Sequence, residues 1–270
     1  MKIIALAAAV LCSINILSAQ VGTIGDEYYQ TTQKQKFPAF GMFKENYVAG
    51  GQSFKTAQGN HHFSVRYQTS WEVRLWRWEK VDLLATYTQS GIWMPFDKSS
   101  PIIETAFNPA LVAYWYFSPE WDFYAGVQHR SNGEKGTFSR SENLAYIAAI
   151  YSLGEHWRFG GKLWAGYNQR VRGYDWWRYR GYCSAWATYK SLDNRFSITA
   201  LVNPSHTFRN YNLEISSYYR IFDNGSFLLS IFAQYRQGYM ETMAYFSKWE
   251  NHLRVGFSLE LANGSNISIR

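Results

Sequence analysis

From about residue 42 onward the chain repeats one theme: a segment in which apolar and polar residues alternate, closed by a polar or glycine-containing break. The clearest case sets Leu253, Val255, Phe257, Leu259 and Leu261 against Arg254, Gly256, Ser258 and Glu260. Phe227, Leu229, Ile231, Ala233 and Tyr235 oppose Ser226, Ser230, Gln234 and Arg236 in the same way. Period-two patterning makes a strand with one oily face. Such segments fall near 43–51, 60–71, 82–93, 104–117, 121–132, 143–152, 156–168, 179–190, 194–203, 210–221, 225–236 and 251–261. About twelve strands of about ten residues each match a tilted membrane barrel. In a secreted sandwich the oily face would be the core; in a barrel it faces lipid and the polar side chains face the lumen. Composition favours the barrel. Aromatics make up 19% of the chain, with 12 Trp and 21 Tyr, yet the mean hydropathy is −0.34. That combination suits strands with one wet face and interfacial aromatic girdles. The expected fold is all-β: a transmembrane antiparallel β-barrel over 42–261, preceded by an N-terminal arm over 20–41 and followed by a polar tail over 262–270.

Residues 1–19 read as a secretory signal peptide. Lys2 supplies the positive start, Ile3 to Leu17 is mostly apolar, and Leu17-Ser18-Ala19 offers a small-residue cleavage site. Cys183 is then the one mature cysteine, which excludes an intramolecular disulfide. The net charge of +7 suits anionic head groups rather than nucleic acid in an exported chain.

The segment 121–132 and its successor carry the chemistry. Phe123, Ala125, Val127, His129 and Ser131 share the outward face. A hairpin folded about Gly136 places Asn143 opposite His129, with Cβ atoms about 5 Å apart. Nucleophile, base and orienting amide are then adjacent, the logic of a catalytic triad. His-x-Ser alone also reads as a girdle histidine beside a loop serine, but a polar pair aimed at lipid needs a reason.

His129-x-Ser131-Asn132-Gly133 followed by Ser139-Arg140-Ser141-x-Asn143 resembles the signature of outer-membrane phospholipase A, a calcium-dependent barrel hydrolase family. Tyr87-Thr88-Gln89, Ser99-Ser100-Pro101, Glu104-Thr105 and Asn46-Tyr47 extend the likeness. The resemblance implies an outer-membrane enzyme that cleaves acyl esters of glycerophospholipids and lysophospholipids, with Ser131 as nucleophile, His129 as base and Asn143 as orienter. It implies Ca²⁺ held by Ser139, by the main-chain carbonyl at Glu134 and by Ser99 of a second copy. Glu134 stands where the family has a basic residue, so its carboxylate could add an oxygen ligand. The resemblance also implies a homodimer with the outward Gln89 at its interface; the alternative for Gln89 is an amide that snorkels to water. Two other functions fit a barrel of this size: a non-enzymatic, porin-like channel, or a lipid A deacylase.

Weaker candidates remain. His61-His62 is a metal-like pair, but adjacent strand residues point to opposite faces. Residues 169–179, with Arg170, Arg172, Trp176, Trp177 and Arg178, read either as a head-group site or as an ordinary girdle and loop. Asn224-Gly225 and Asn263-Gly264 read as turns.

Overall fold

The computed structural model describes residues 39–55, 63–170 and 176–261, all within one compact unit, Gln35–Arg270. The segments read as signal peptide and polar tail, and His61-His62, lie outside the described residues. Alternation makes thirteen strands: β1 (Phe40–Gly41), β2 (Asn46–Lys55), β3 (Phe63–Arg77), β4 (Val81–Trp93), β5 (Ile102–Tyr116), β6 (Trp121–Ser131), β7 (Ser141–Leu153), β8 (Trp157–Arg170), β9 (Cys183–Lys190), β10 (Phe196–Pro204), β11 (Tyr211–Asp223), β12 (Phe227–Gly238) and β13 (Glu250–Leu261). One short helix, α1 (Trp176–Arg180), precedes β9.

Each strand pairs antiparallel with its neighbours, and β13 pairs with β2 to close the ring. β1 and β2 are two halves of one interrupted strand. β2 pairs with β3 at Tyr47↔Gln68, and β1 continues along β3 at Gly41↔Glu72. The result is a closed twelve-stranded antiparallel barrel without a free edge. In lipid that closure satisfies the backbone polar groups of the wall. At the interruption Phe43 turns into the lumen and packs near Leu84 and Val112.

The turns sort by length. At one end they span 78–80, 117–120, 154–156, 191–195 and 224–226; at the other, loops such as 94–101, 132–140 and 239–249 are longer. Barrels of this type keep short turns on the periplasmic side and long loops outside. In the turn at 224–226, Gly225 takes φ +76° and the Asn224 side chain accepts from the amides of Ser226 and Phe227. Exposed Trp76, Trp78, Trp115, Trp121 and Trp157 gather at the short-turn end as a girdle. Along β13, Leu253, Val255, Phe257 and Leu259 face out while Arg254 and Ser258 are buried.

Two expectations need correction. The strand expected over 179–190 begins at Cys183, because α1 occupies the residues before it and Gly181, at φ +63°, turns the chain into β9. The lumen is also not polar throughout. Within β4 to β9 its floor is apolar and aromatic: Leu84, Val112, Tyr114, Tyr124, Leu144, Tyr146, Ile150, Trp164 and Trp186 form one cluster. These strands are oily on both faces, so their outward residues are distinguished by register rather than by polarity.

Candidate active site

β6 and β7 meet in the register expected of a turn centred on Gly136: His129 stands opposite Asn143, Arg130 opposite Glu142 and Ser131 opposite Ser141. His129 is exposed on the outer wall, with Ser131 and Asn143 half-buried beside it. His129 Nδ1 lies 2.8 Å from Asn143 Oδ1. With the amide oxygen as acceptor, the imidazole proton is on Nδ1 and Nε2 is left as the basic atom. Ser131 is two residues further along, about 6.6 Å at the rise of a strand. Among the described residues its hydroxyl makes no hydrogen bond, so a serine–imidazole contact requires a rotation of the side chain, as is common in sites without substrate.

The loop from 132 to 140 is held by Asn132, a residue to which sequence reasoning assigned no role. Its buried side chain donates to the Phe138 carbonyl at 2.8 Å and accepts from the amides of Glu134 and Arg140 at 3.3 and 3.0 Å. Gly133 and Gly136 take φ +67° and +64°, which only glycine adopts readily. Buried Arg140 donates to the carbonyls of Thr137 and Ser139. Glu134 and Ser139 are left exposed on the rim. Ser99, also exposed, takes φ +67° in the loop between β4 and β5. Gln89 lies on the outer wall of β4, where its Oε1 accepts from the Tyr87 hydroxyl at 3.3 Å. Among the described residues no three His, Cys, Asp or Glu side chains cluster in a way that could hold a metal ion. Any cation at this rim would therefore be held by hydroxyl, carbonyl and single carboxylate oxygens. That set suits hard Ca²⁺ and not a softer metal.

Behind the outward residues lies a buried scaffold. Glu142, fully buried on the inward face of β7, accepts from Trp176 Nε1 at 2.9 Å and Arg180 Nε at 3.3 Å, and lies 3.9 Å from the Arg130 guanidinium. Trp176 is therefore a buried strut, not a head-group contact; Arg178 is exposed. The pairing of Arg130 with Glu142 was legible from the turn at Gly136, whereas Trp176 and Arg180 reach it only through the fold. The loop 239–249 caps the lumen. Met240, Met243 and Phe246 pack with Trp176 and Ala106, and Met243 N donates to Glu104 at 2.9 Å. The same cap touches the site loop: Tyr245 packs against Phe138 at a tilt, with centroids 5.7 Å apart, and the Arg140 guanidinium lies 5.7 Å over the Phe246 ring. Its anchor is Glu241. Burial alone would raise that carboxyl, but the guanidiniums of Arg236, Arg66 and Arg254 hold it well below the usual carboxylate range.

A closed barrel with a His–Asn pair and a serine on its outer wall, and with packed aromatic rings on the lumen side of β4 to β9, is the frame of an outer-membrane β-barrel protein that carries polar side chains toward lipid. The chain belongs to the phospholipase A1 family, whose model matches residues 33–259, and it is an outer-membrane phospholipase. The fold is similar to that of outer membrane phospholipase A from Escherichia coli, at a TM-score of 0.73 and 23% identity over 83% of this chain and 99% of that one. It is equally similar to the Salmonella typhi outer membrane phospholipase, seen as a dimer with bound calcium, at a TM-score of 0.72 and 23% identity over 85% and 95% of the two chains. No curated protein matches the chain.

Proposed function

We propose that Ser131, His129 and Asn143 form the catalytic triad of this phospholipase. The 2.8 Å contact between His129 Nδ1 and Asn143 Oδ1 on the outward face carries the reading. Asn143 fixes the tautomer, so that His129 Nε2 takes the Ser131 proton as Oγ attacks the ester carbonyl. The same nitrogen then returns the proton to the leaving lysolipid oxygen, and water releases the fatty acid by the reverse sequence. A neutral amide orients the imidazole but offers the imidazolium less charge than a carboxylate does. Charge at the oxyanion is the larger need.

Ser139 Oγ, the Glu134 carbonyl and carboxylate, and Ser99 of the partner subunit would hold Ca²⁺, as the exposure of Glu134, Ser139 and Ser99 and their oxygen chemistry allow. When bound, Ca²⁺ supplies positive charge to the developing oxyanion. So few protein ligands imply that water completes the coordination and that affinity is modest. Dimerisation would bring Ser99 to the site. The outward Gln89 favours it, since an amide facing lipid gains from pairing with its symmetry mate. A channel function finds no support in a lumen packed with Leu84, Tyr114, Tyr124 and Trp164 and capped by Phe246.

Phospholipid hydrolysis in mixed micelles tests the proposal. Ser131→Ala is expected to lower kcat by at least about 10³-fold without changing the fold, and chelation by EDTA to abolish activity. Full turnover without Ser131 refutes the nucleophile, and calcium-independent release refutes the metal assignment.

A further inference from the structure

The loop that carries Glu134 and Ser139 is held from two directions. From within the hairpin, Asn132 ties its ends together through the Phe138 carbonyl and the Glu134 and Arg140 amides. Between buried Asn132 and buried Arg140, residues 133–139 are all exposed, and Gly133 and Gly136 add backbone freedom. A segment with so few buried contacts opens readily unless something outside it adds order. The outside contacts come from the cap loop 239–249. Tyr245 packs on Phe138, and the Phe246 ring lies under the Arg140 guanidinium. Arg140 passes that support on, because its Nη1 donates to the carbonyls of Thr137 at 2.6 Å and Ser139 at 2.8 Å. Ser139 is therefore flanked on both sides by a residue that the cap touches. The cap itself is anchored on the far wall. In the ring of β2 to β13, β12 and β13 stand six places from β6 and β7, directly across the barrel. There Glu241 meets Arg66 of β3, Arg236 of β12 and Arg254 of β13. Bonds within the cap fix its outer end: Tyr245 N donates to Thr242 Oγ1 and Met240 N to the Phe246 carbonyl, each at 3.1 Å.

We propose that Tyr245 and Phe246 are positioning residues for the calcium-binding loop, the working end of a strut that crosses the barrel mouth; the inference rests on Glu134 and Ser139 being calcium ligands. Neither ring touches the reacting atoms. Both act through Phe138 and Arg140, which set the backbone on either side of Ser139. A loop already ordered in its binding arrangement loses less freedom when a cation arrives. Where the competent arrangement is only partly populated, apparent affinity falls in proportion to that population. One aromatic pair and one cation–π contact each shift such an equilibrium by about two- to tenfold. The calcium requirement of a site on one wall is thereby set in part by a charge cluster on the opposite wall.

The test removes the strut's contacts in the full-length protein refolded into detergent. Tyr245→Ala deletes the ring from a half-buried position, and Tyr245→Phe retains it. Phe246→Leu keeps apolar bulk against Trp176 but removes the ring face beneath Arg140. Hydrogen exchange in EDTA reads the loop without metal, at the amides of Glu134, Ser139 and Arg140, with the strand amides as internal reference. Tyr245→Ala combined with Phe246→Leu is expected to speed exchange at the three loop amides by about tenfold and to leave the strands unchanged. The calcium concentration for half-maximal phospholipid hydrolysis should rise at least about threefold, with kcat at saturating calcium kept within about twofold. Tyr245→Ala alone should shift both readouts less, and Tyr245→Phe should match the wild type. Unchanged loop exchange, with a calcium-dependent wild type, overturns the proposal alone. Faster exchange throughout the barrel, or a lower kcat with an unchanged calcium requirement, also overturns it and makes the cap a general support. Wild-type hydrolysis that persists in EDTA overturns the calcium reading and the proposal with it.

Discussion

The two faces of the β6–β7 hairpin differ in kind. Outward, His129, Ser131 and Asn143 share one side-chain hydrogen bond and remain accessible. Inward, Arg130, Asn132 and Glu142 are tied to α1, to the loop backbone and to each other. On the proposed triad, every second residue of one short stretch belongs to the chemistry and the residues between belong to the support. The inner set is held by buried charge and satisfied hydrogen bonds, which fix register. The outer set needs access to substrate, and His129 stands exposed on the wall. A membrane enzyme of this design keeps its rigidity on the side away from its substrate.

The sharpest way to break that contrast is to remove the inner charge. Glu142→Ala leaves the half-buried Arg130 and Arg180 without their partner, a loss of up to about 3 kcal/mol. Denaturant unfolding of the refolded barrel should show it directly, and activity should fall with the folded fraction. A fully stable Glu142→Ala variant would mean that the inner face is not the support. Asn143→Ala makes the opposite cut. Stability should hold within about 0.5 kcal/mol, as for most surface changes. Turnover should drop by up to about 10²-fold as His129 loses its orientation. A parallel loss of stability would erase the distinction between the faces. The smallest effect is expected at Gln89, which belongs to the outer wall but not to the chemistry. Gln89→Ala should weaken self-association by about 1 kcal/mol, read as a shift in crosslinked dimer with protein concentration while the monomer stays folded.

The barrel was legible in the sequence wherever lumen and lipid impose different chemistry. β13 reads plainly because Arg254 and Ser258 lie between Leu253, Val255, Phe257 and Leu259. β4 and β5 read less clearly, since Leu83-Leu84 and Leu111-Val112 are apolar on both faces and the packed lumen removes the signal. The start of β9 was missed because the chain before it is rich in aromatics and arginines, a composition as suited to an interfacial strand as to α1. In the site, the pairing of His129 with Asn143 followed from one turn glycine and from counting. The roles of Asn132 and Glu142 did not. A lone carboxylate on a lumen-facing position reads as a wet group until Trp176 and Arg180, which lie 34 and 38 residues further along the chain, close over it.

The aromatic packing on the β4–β9 side of the lumen has a consequence for the cell as well as for the fold. Leu84, Tyr114, Tyr124, Tyr146, Trp164 and Trp186 occupy the interior that a porin would leave to water. A membrane carrying many copies of this barrel would gain lipid hydrolysis without a wide, porin-like pore. Abundance could then be set by the need for hydrolysis rather than by the permeability barrier the protein sits in.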